Sequence, residues 1–107
     1  MKTWRIAINC PEVPGHLNPS LTLGAELKRR GHDVRLTTFI DADSEARAAG
    51  IPLHPVAELQ YPRGTVPETM RKLGTLSGFA ASRFTIKVVQ ENNLTYLREL
   101  PRVWESE

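Results

Sequence analysis

A histidine between the first predicted strand and the first predicted helix is the residue of this sequence best placed to do chemistry. The segment from Cys10 to Asn18 reads C-P-E-V-P-G-H-L-N, and Pro19 follows it. Asn18 and Pro19 favour a helix start, because Asn accepts hydrogen bonds from free backbone N–H groups and Pro needs no partner for an N–H. The partial positive charge of a helix N-terminus favours the neutral imidazole, which can accept a proton. His16 is therefore a candidate general base, and a histidine that only packs or caps is the alternative.

The other residues of reactive type have simpler structural explanations. His32 occupies a turn after the predicted helix, and His54 lies between two prolines of a predicted edge strand. Cys10 stands at a strand end, where a lone cysteine is typically a small buried apolar residue. Gly15 would let the backbone approach a ligand closely, but a single glycine makes neither a phosphate-binding loop nor a dinucleotide fingerprint.

An alternation of strands and helices is predicted to position these residues. The pattern indicates strands at 4–10, 33–40 and 51–56, with helices at 18–30 and 45–49. Gly31 ends the first helix, and Asp43 or Ser44 caps the second. Because parallel strands need a crossover helix, this order predicts an α/β fold with a Rossmann-like parallel sheet. We expect the sheet order third, second, first strand, with ligands bound beyond the carboxyl ends of the strands.

The second half of the chain is predicted to be helical. A loop covers 58–66, a helix opens at Pro67 and ends near Gly74, and a long helix runs from Gly78 to Leu100, where Pro101 ends it. Thr85 to Val89 alone would also suit a strand, but the helical spacing of apolar residues continues to Leu100.

Apolar side chains on the long helix have two interpretations. A ligand pocket would use such side chains, and a helix packed in an ordinary core would show the same stripe. The residues in question are Phe79, Phe84, Tyr96 and Leu97.

Composition narrows the possible classes of protein. A chain of 107 residues with 40% hydrophobic and 24% charged residues is sized and composed like one globular domain. The 14 basic and 12 acidic residues give a net charge of +2, which favours neither nucleic acid nor an anionic membrane surface as partner. A single cysteine, a start without a signal-peptide core and the lack of a long apolar run predict a cytoplasmic protein without a transmembrane segment.

One long motif resembles a known enzyme family. The residues from Pro14 to Val34, P-G-H-L-N-P-S-L-T-L-G-A-E-L-K-R-R-G-H-D-V, are similar to the opening of the inverting, sugar-nucleotide-dependent enzymes of the UDP-glycosyltransferase superfamily. The A-A-G-I-P-L segment at 48–53 resembles the family's entry into its third strand. Residues 58–100, with Y-P-R-G and L-G-T-L-S-G, resemble bacterial members related to macrolide and carotenoid (zeaxanthin) glucosyltransferases.

The resemblance implies a GT-B fold of two Rossmann-like lobes, of which residues 1–107 would be part of the acceptor-binding lobe. Its βαβαβ core would span 4–56 and its acceptor-side helices 67–100, while the donor-binding lobe would lie outside this chain. His16 matches the family's catalytic base, and the predicted substrate-binding residues are Gly15, Asn18, Phe79 and Phe84. The implied co-substrate is a nucleotide sugar such as UDP-glucose, the implied acceptor is a lipophilic small molecule, and no metal or other cofactor is expected.

The sequence also departs from the family. The aspartate that orients the family's histidine follows a later strand that is not present here, and Asp41 and Asp43 do not match it. We therefore expect the chain alone to be inactive, marginally stable and able to self-associate through an open sheet edge beside the first strand. Two alternatives remain. The chain is a non-catalytic binding module or a subunit of a two-chain glycosyltransferase, or it is a free-standing flavodoxin-like domain.

Overall fold

The protein is an α/β domain with one three-stranded parallel sheet and four α-helices among its described residues. The computed structural model describes residues 2–11 and 13–106, so Glu12 of the predicted loop lies outside them, as do the two terminal residues. The elements in chain order are β1 (Arg5–Ile8), α1 (Pro14–Arg29), β2 (Asp33–Thr38), a 3-10 helix (Ile40–Ala42), α2 (Asp43–Ala48), β3 (Leu53–Pro55), α3 (Thr65–Gly74) and α4 (Gly78–Glu105).

The sheet confirms the predicted topology. Its order is β1-β2-β3, and both neighbouring pairs are parallel. Ile6 lies opposite Val34 and Ile8 opposite Leu36, so apolar side chains of the two strands form one continuous surface. Helix α1 covers that surface as the crossover between β1 and β2. The other edge of β1 carries no strand among the residues that the structure describes.

Helix α1 begins one turn earlier than the sequence predicts. Val13 precedes the first helical residue, Pro14, and its carbonyl accepts hydrogen bonds from the backbone N–H groups of His16 (2.9 Å) and Leu17 (2.8 Å). The prediction of a start at Asn18 is therefore wrong. Burial of Leu17 against the sheet stabilises the extra turn, and Pro14 supplies the same N-terminal preference that was assigned to Pro19.

Helix α4 continues through Pro101 to Glu105, so the predicted end at Leu100 is also wrong. A proline inside a helix removes the hydrogen bond to the carbonyl four residues earlier, here that of Leu97. The Leu97 side chain is 75% exposed, which leaves room for water near that carbonyl. Leu100 is buried in the cluster that it forms with Phe39, Val56 and Tyr96, and Val103 packs against that cluster, which holds the last turn in place.

The short helices also differ from the prediction at their N-termini. Helix α2 begins at Asp43, and no side chain caps it, because the N-cap position is occupied by Ala42; the Asp43 carboxylate accepts a hydrogen bond from Arg47 at 2.8 Å. Helix α3 begins at Thr65, two residues before Pro67. The 3-10 helix before α2 has no counterpart in the prediction.

Two clusters of buried side chains hold the domain together. The first, which we call the aliphatic core, packs the sheet against α1 and α2 and consists of Cys10, Leu17, Leu21, Val34, Leu36, Ala42, Ala46 and Ile51. The second, the aromatic core, lies where β2 and β3 end and is covered by α4. It consists of Phe39, Val56, Tyr96 and Leu100. None of the helices described is long and apolar enough to cross a membrane.

Candidate active site

A cavity of about 340 Å³ opens beyond the carboxyl ends of β1 and β2. Its walls are the segment between β1 and α1, the first turn of α1, the residue that follows β2, the loop before α3, and one side each of α3 and α4. The lining residues are Pro11, Val13, His16, Phe39, Tyr61, Thr65, Val66, Thr69, Met70, Leu73, Phe84, Thr85, Val88, Val89, Glu91 and Asn92. This is the end of the sheet at which open parallel α/β proteins bind their ligands.

His16 lies on this cavity, with an exposed side chain in the first turn of α1. Its backbone is fixed at both ends: the N–H donates to Val13, and the carbonyl accepts a hydrogen bond from the Ser20 hydroxyl at 2.9 Å. The sequence placed the histidine just ahead of the helix, whereas the structure places it within the first turn. The ring still stands at the positive end of the helix dipole and faces an apolar space.

The floor of the cavity is built on stacked aromatic rings. The Phe39 ring, at the end of β2, stacks on Tyr61 with a centroid distance of 4.1 Å and on Tyr96 with one of 4.9 Å. The Tyr96 hydroxyl lies 3.1 Å from the Thr38 hydroxyl, which donates to the Cys10 carbonyl at 2.9 Å. These contacts attach α4 to the ends of both strands and thereby fix one wall of the cavity relative to His16.

The α3 wall is positioned by a carboxylate from elsewhere in the chain. The Asp41 side chain accepts hydrogen bonds from the backbone N–H groups of Gly64 at 2.7 Å and Val66 at 3.0 Å. These N–H groups belong to the start of α3, where no intrahelical partner exists, so Asp41 acts as its cap. Gly64 has a φ of 97°, which strongly favours glycine. Sequence analysis missed this role, because the capping residue and the helix are 23 positions apart.

Of the predicted substrate-binding residues, only Phe84 lines the described part of the cavity together with His16. Phe84 lines the same cavity, whereas Phe79 is 89% exposed and lies outside it. A Cβ added at Gly15 would meet no other described part of the chain within 4 Å, apart from its own helix backbone and chain neighbours, and Gly15 does not line the cavity. Asn18 does not line the cavity and borders a shallow groove beside Leu21.

The other candidate residues named in the sequence analysis do not line the cavity. Tyr96 belongs to the aromatic core, and Leu97 is exposed. Cys10 is buried in the aliphatic core, as predicted. The ring of His32 accepts a hydrogen bond from the backbone N–H of Trp4 at 3.0 Å through Nδ1, which ties the turn after α1 to the start of β1. His54 is a residue of β3 outside the cavity.

The charges around the cavity are few. Glu91 is the one carboxylate in its described lining, and neither Lys nor Arg lines it. The Lys72 ammonium lies 5.1 Å from the centroid of the Phe84 ring but is not part of the lining. On α3, hydrogen bonds from Arg71 lower the pKa of Glu68, and neither residue lines the cavity. Among the described residues, no group of His, Cys, Asp and Glu could hold a metal ion.

Comparison with known proteins identifies no relative of this chain. No family model, no curated protein and no solved structure matches this chain. Its function is therefore inferred from the cavity and from the sequence motif that carries His16.

Proposed function

We propose that this chain binds the acceptor of a glycosyl transfer reaction and that His16 is the general base. The observation that supports the proposal is the position of His16 on an apolar cavity at the carboxyl end of a parallel sheet. The sequence around His16 resembles the opening of the UDP-glycosyltransferase superfamily, in which the histidine of this motif has that role.

In the proposed reaction, an acceptor hydroxyl lies against the imidazole of His16. A ring nitrogen takes the hydroxyl proton while the oxygen forms a bond to the anomeric carbon of the sugar. The bond from that carbon to the nucleoside diphosphate breaks on the opposite face, so the configuration inverts. A hydroxyl is a weak nucleophile until a positioned base accepts its proton, and the remaining lining of the cavity serves to orient the acceptor.

The proposal assigns the nucleotide sugar to a second lobe or a second chain. The described residues offer one sheet of three strands, and the cavity has no Lys or Arg in its described lining to pair with a diphosphate. The residues of this chain would then select the acceptor and remove its proton.

The test measures sugar transfer from a nucleotide sugar to an acceptor. It uses the smallest active protein that contains these residues, whether that protein is one chain or two. His16→Ala should lower kcat by roughly 10²–10⁴ and leave the KM for the donor nearly unchanged, because general-base catalysis contributes about that factor. His54→Gln, a change at a histidine outside the cavity, is the matched control and should retain full turnover. Turnover of His16→Ala within a few-fold of the parent would show that the histidine is not the base, and ligand binding without transfer would favour a binding module.

A further inference from the structure

The cavity is lined mainly by apolar side chains, with His16, Asn92 and several hydroxyl groups among them, and Glu91 is the one carboxylate in its described lining. Helical spacing places Phe84, Val88 and Glu91 on the same side of α4, so the carboxylate follows two apolar side chains along one face of the helix. The opposite wall on α3 contributes Val66, Met70 and Leu73, with threonine hydroxyls between them. A ligand that fills this space must therefore present a mainly apolar body and one group that suits a carboxylate.

The Glu91 carboxylate is available to a ligand. Several other carboxylates already have partners: Glu26 accepts hydrogen bonds from Arg29 and Arg30, Glu68 from Arg71, and Asp43 from Arg47. No salt bridge to Glu91 is formed within the described part of the chain, although Lys87 stands one helical turn before it. The Glu91 side chain is exposed to water, so it would attract a cationic ligand group by a screened Coulomb interaction that a neutral group lacks, and it would repel an anionic group.

We propose that the cavity takes lipophilic molecules that carry an amine, protonated at neutral pH, and that Glu91 binds the ammonium group. The inference rests on the proposed function, because it names the chemical class of the acceptor whose hydroxyl His16 would deprotonate. Charge complementarity carries it: the described lining holds one carboxylate and neither lysine nor arginine. Glu91 thus determines acceptor specificity and takes no part in the proton transfer.

Binding to the intact chain tests the inference without any sugar donor. Phenylbutylammonium, phenylbutanol and phenylbutanoate share an apolar body and differ in the charge of the terminal group. Calorimetry or ligand-observed NMR should show the ammonium compound binding about three- to tenfold more tightly than the alcohol, and the carboxylate compound most weakly. The preference for the ammonium should shrink as salt is raised, because the site opens to solvent.

Two variants test whether Glu91 causes the preference for the ammonium compound. Glu91→Gln should bind the ammonium and the alcohol equally, whereas Glu105→Gln, which removes the same charge from the same helix outside the cavity, should keep the preference. Both positions are exposed, so neither change should alter the melting temperature. Equal affinity of the parent for ammonium and alcohol, a preference that survives Glu91→Gln, or no binding of any probe would each overturn the inference.

The outcome is separable from that of the proposed function. His16→Ala should leave the ammonium preference intact while transfer is lost. If transfer does not depend on His16 but the preference holds, the assignment of the base fails and the assignment of Glu91 stands. If transfer depends on His16 but the charge of the acceptor has no effect, the assignment of the base stands and the assignment of Glu91 fails.

Discussion

The aliphatic core and the aromatic core stabilise the same sheet in different ways. The aliphatic core is built largely from residues close in sequence, since α1 follows β1 and leads into β2, and its contacts are nondirectional packing of Leu, Val, Ile and Ala. The aromatic core joins Phe39 at the end of β2 to Tyr96 on α4, and it adds ring stacking and a buried hydroxyl pair to apolar burial. The first core forms the scaffold, and the second contributes Phe39 to the lining of the cavity and attaches α4 beside it.

The difference shows how a small domain can hold a binding space open. Packing of the aliphatic core is close: a Cβ added at Gly24 would lie 2.6 Å from Cδ1 of Ile51. In the aromatic core, one ring serves two purposes, because Phe39 packs among buried side chains and also lines the cavity. Changes to the two cores should therefore separate stability from binding.

Truncation of one large side chain in each core should give the largest effect. Phe39→Ala and Leu36→Ala each remove a side chain that is 1% exposed, and we expect losses of unfolding free energy of about 3–5 and 2–5 kcal/mol, respectively. Only Phe39→Ala should also weaken binding of the lipophilic probes. Denaturant melts and probe titrations measure both quantities. Equal loss of binding in both variants, under conditions where each is folded, would contradict the division between scaffold and cavity.

Enlargement of a glycine tests the close packing of α1. Gly24→Leu should lower the unfolding free energy by about 1–3 kcal/mol, because the new side chain must displace Ile51 and Ile8 from a filled space. Gly15→Leu is the control on the same helix, since nothing lies within 4 Å of its Cβ position, and it should be nearly neutral. Thermal melts of both variants measure these differences in stability. A neutral Gly24→Leu would mean that the aliphatic core has room to adjust.

Removal of a single hydroxyl should give the smallest effect. Tyr96→Phe keeps the stacked ring but removes the contact with the Thr38 hydroxyl, and we expect a loss of about 0.5–1.5 kcal/mol. Tyr61→Phe is the matched control, because within the described residues the Tyr61 hydroxyl forms no hydrogen bond although its ring also stacks on Phe39. The two differences in unfolding free energy are compared by denaturant melts. Equal effects would show that stacking, and not the hydroxyl pair, attaches α4.

The sequence predicted at which end of the sheet His16 would lie, but it did not predict most of the residues that line the cavity there. A histidine in the segment after the first strand of a βαβ unit must lie near the carboxyl end of the sheet, and His16 does. Of the two phenylalanines of the apolar stripe, Phe84 lines the cavity and Phe79 is exposed, because periodicity cannot tell which side of a long helix meets the domain. Asp41 carries no local signal, since it caps a helix that begins 23 positions later, and no local pattern indicates that Glu91 lines the cavity.

The sequence by itself determined the order of elements and the parallel sheet. Short apolar runs separated by a helix, with glycine and proline at the boundaries, leave few other arrangements, because parallel strands require a covering crossover of fixed hand. Tertiary structure decided where α1 begins, where α4 ends and what faces the cavity. Burial of Leu17 adds a turn before Asn18, and packing of Leu100 and Val103 carries α4 past Pro101. In both helices, contacts with the rest of the domain outweigh the local preference of one residue, and such contacts exist only once the chain has folded.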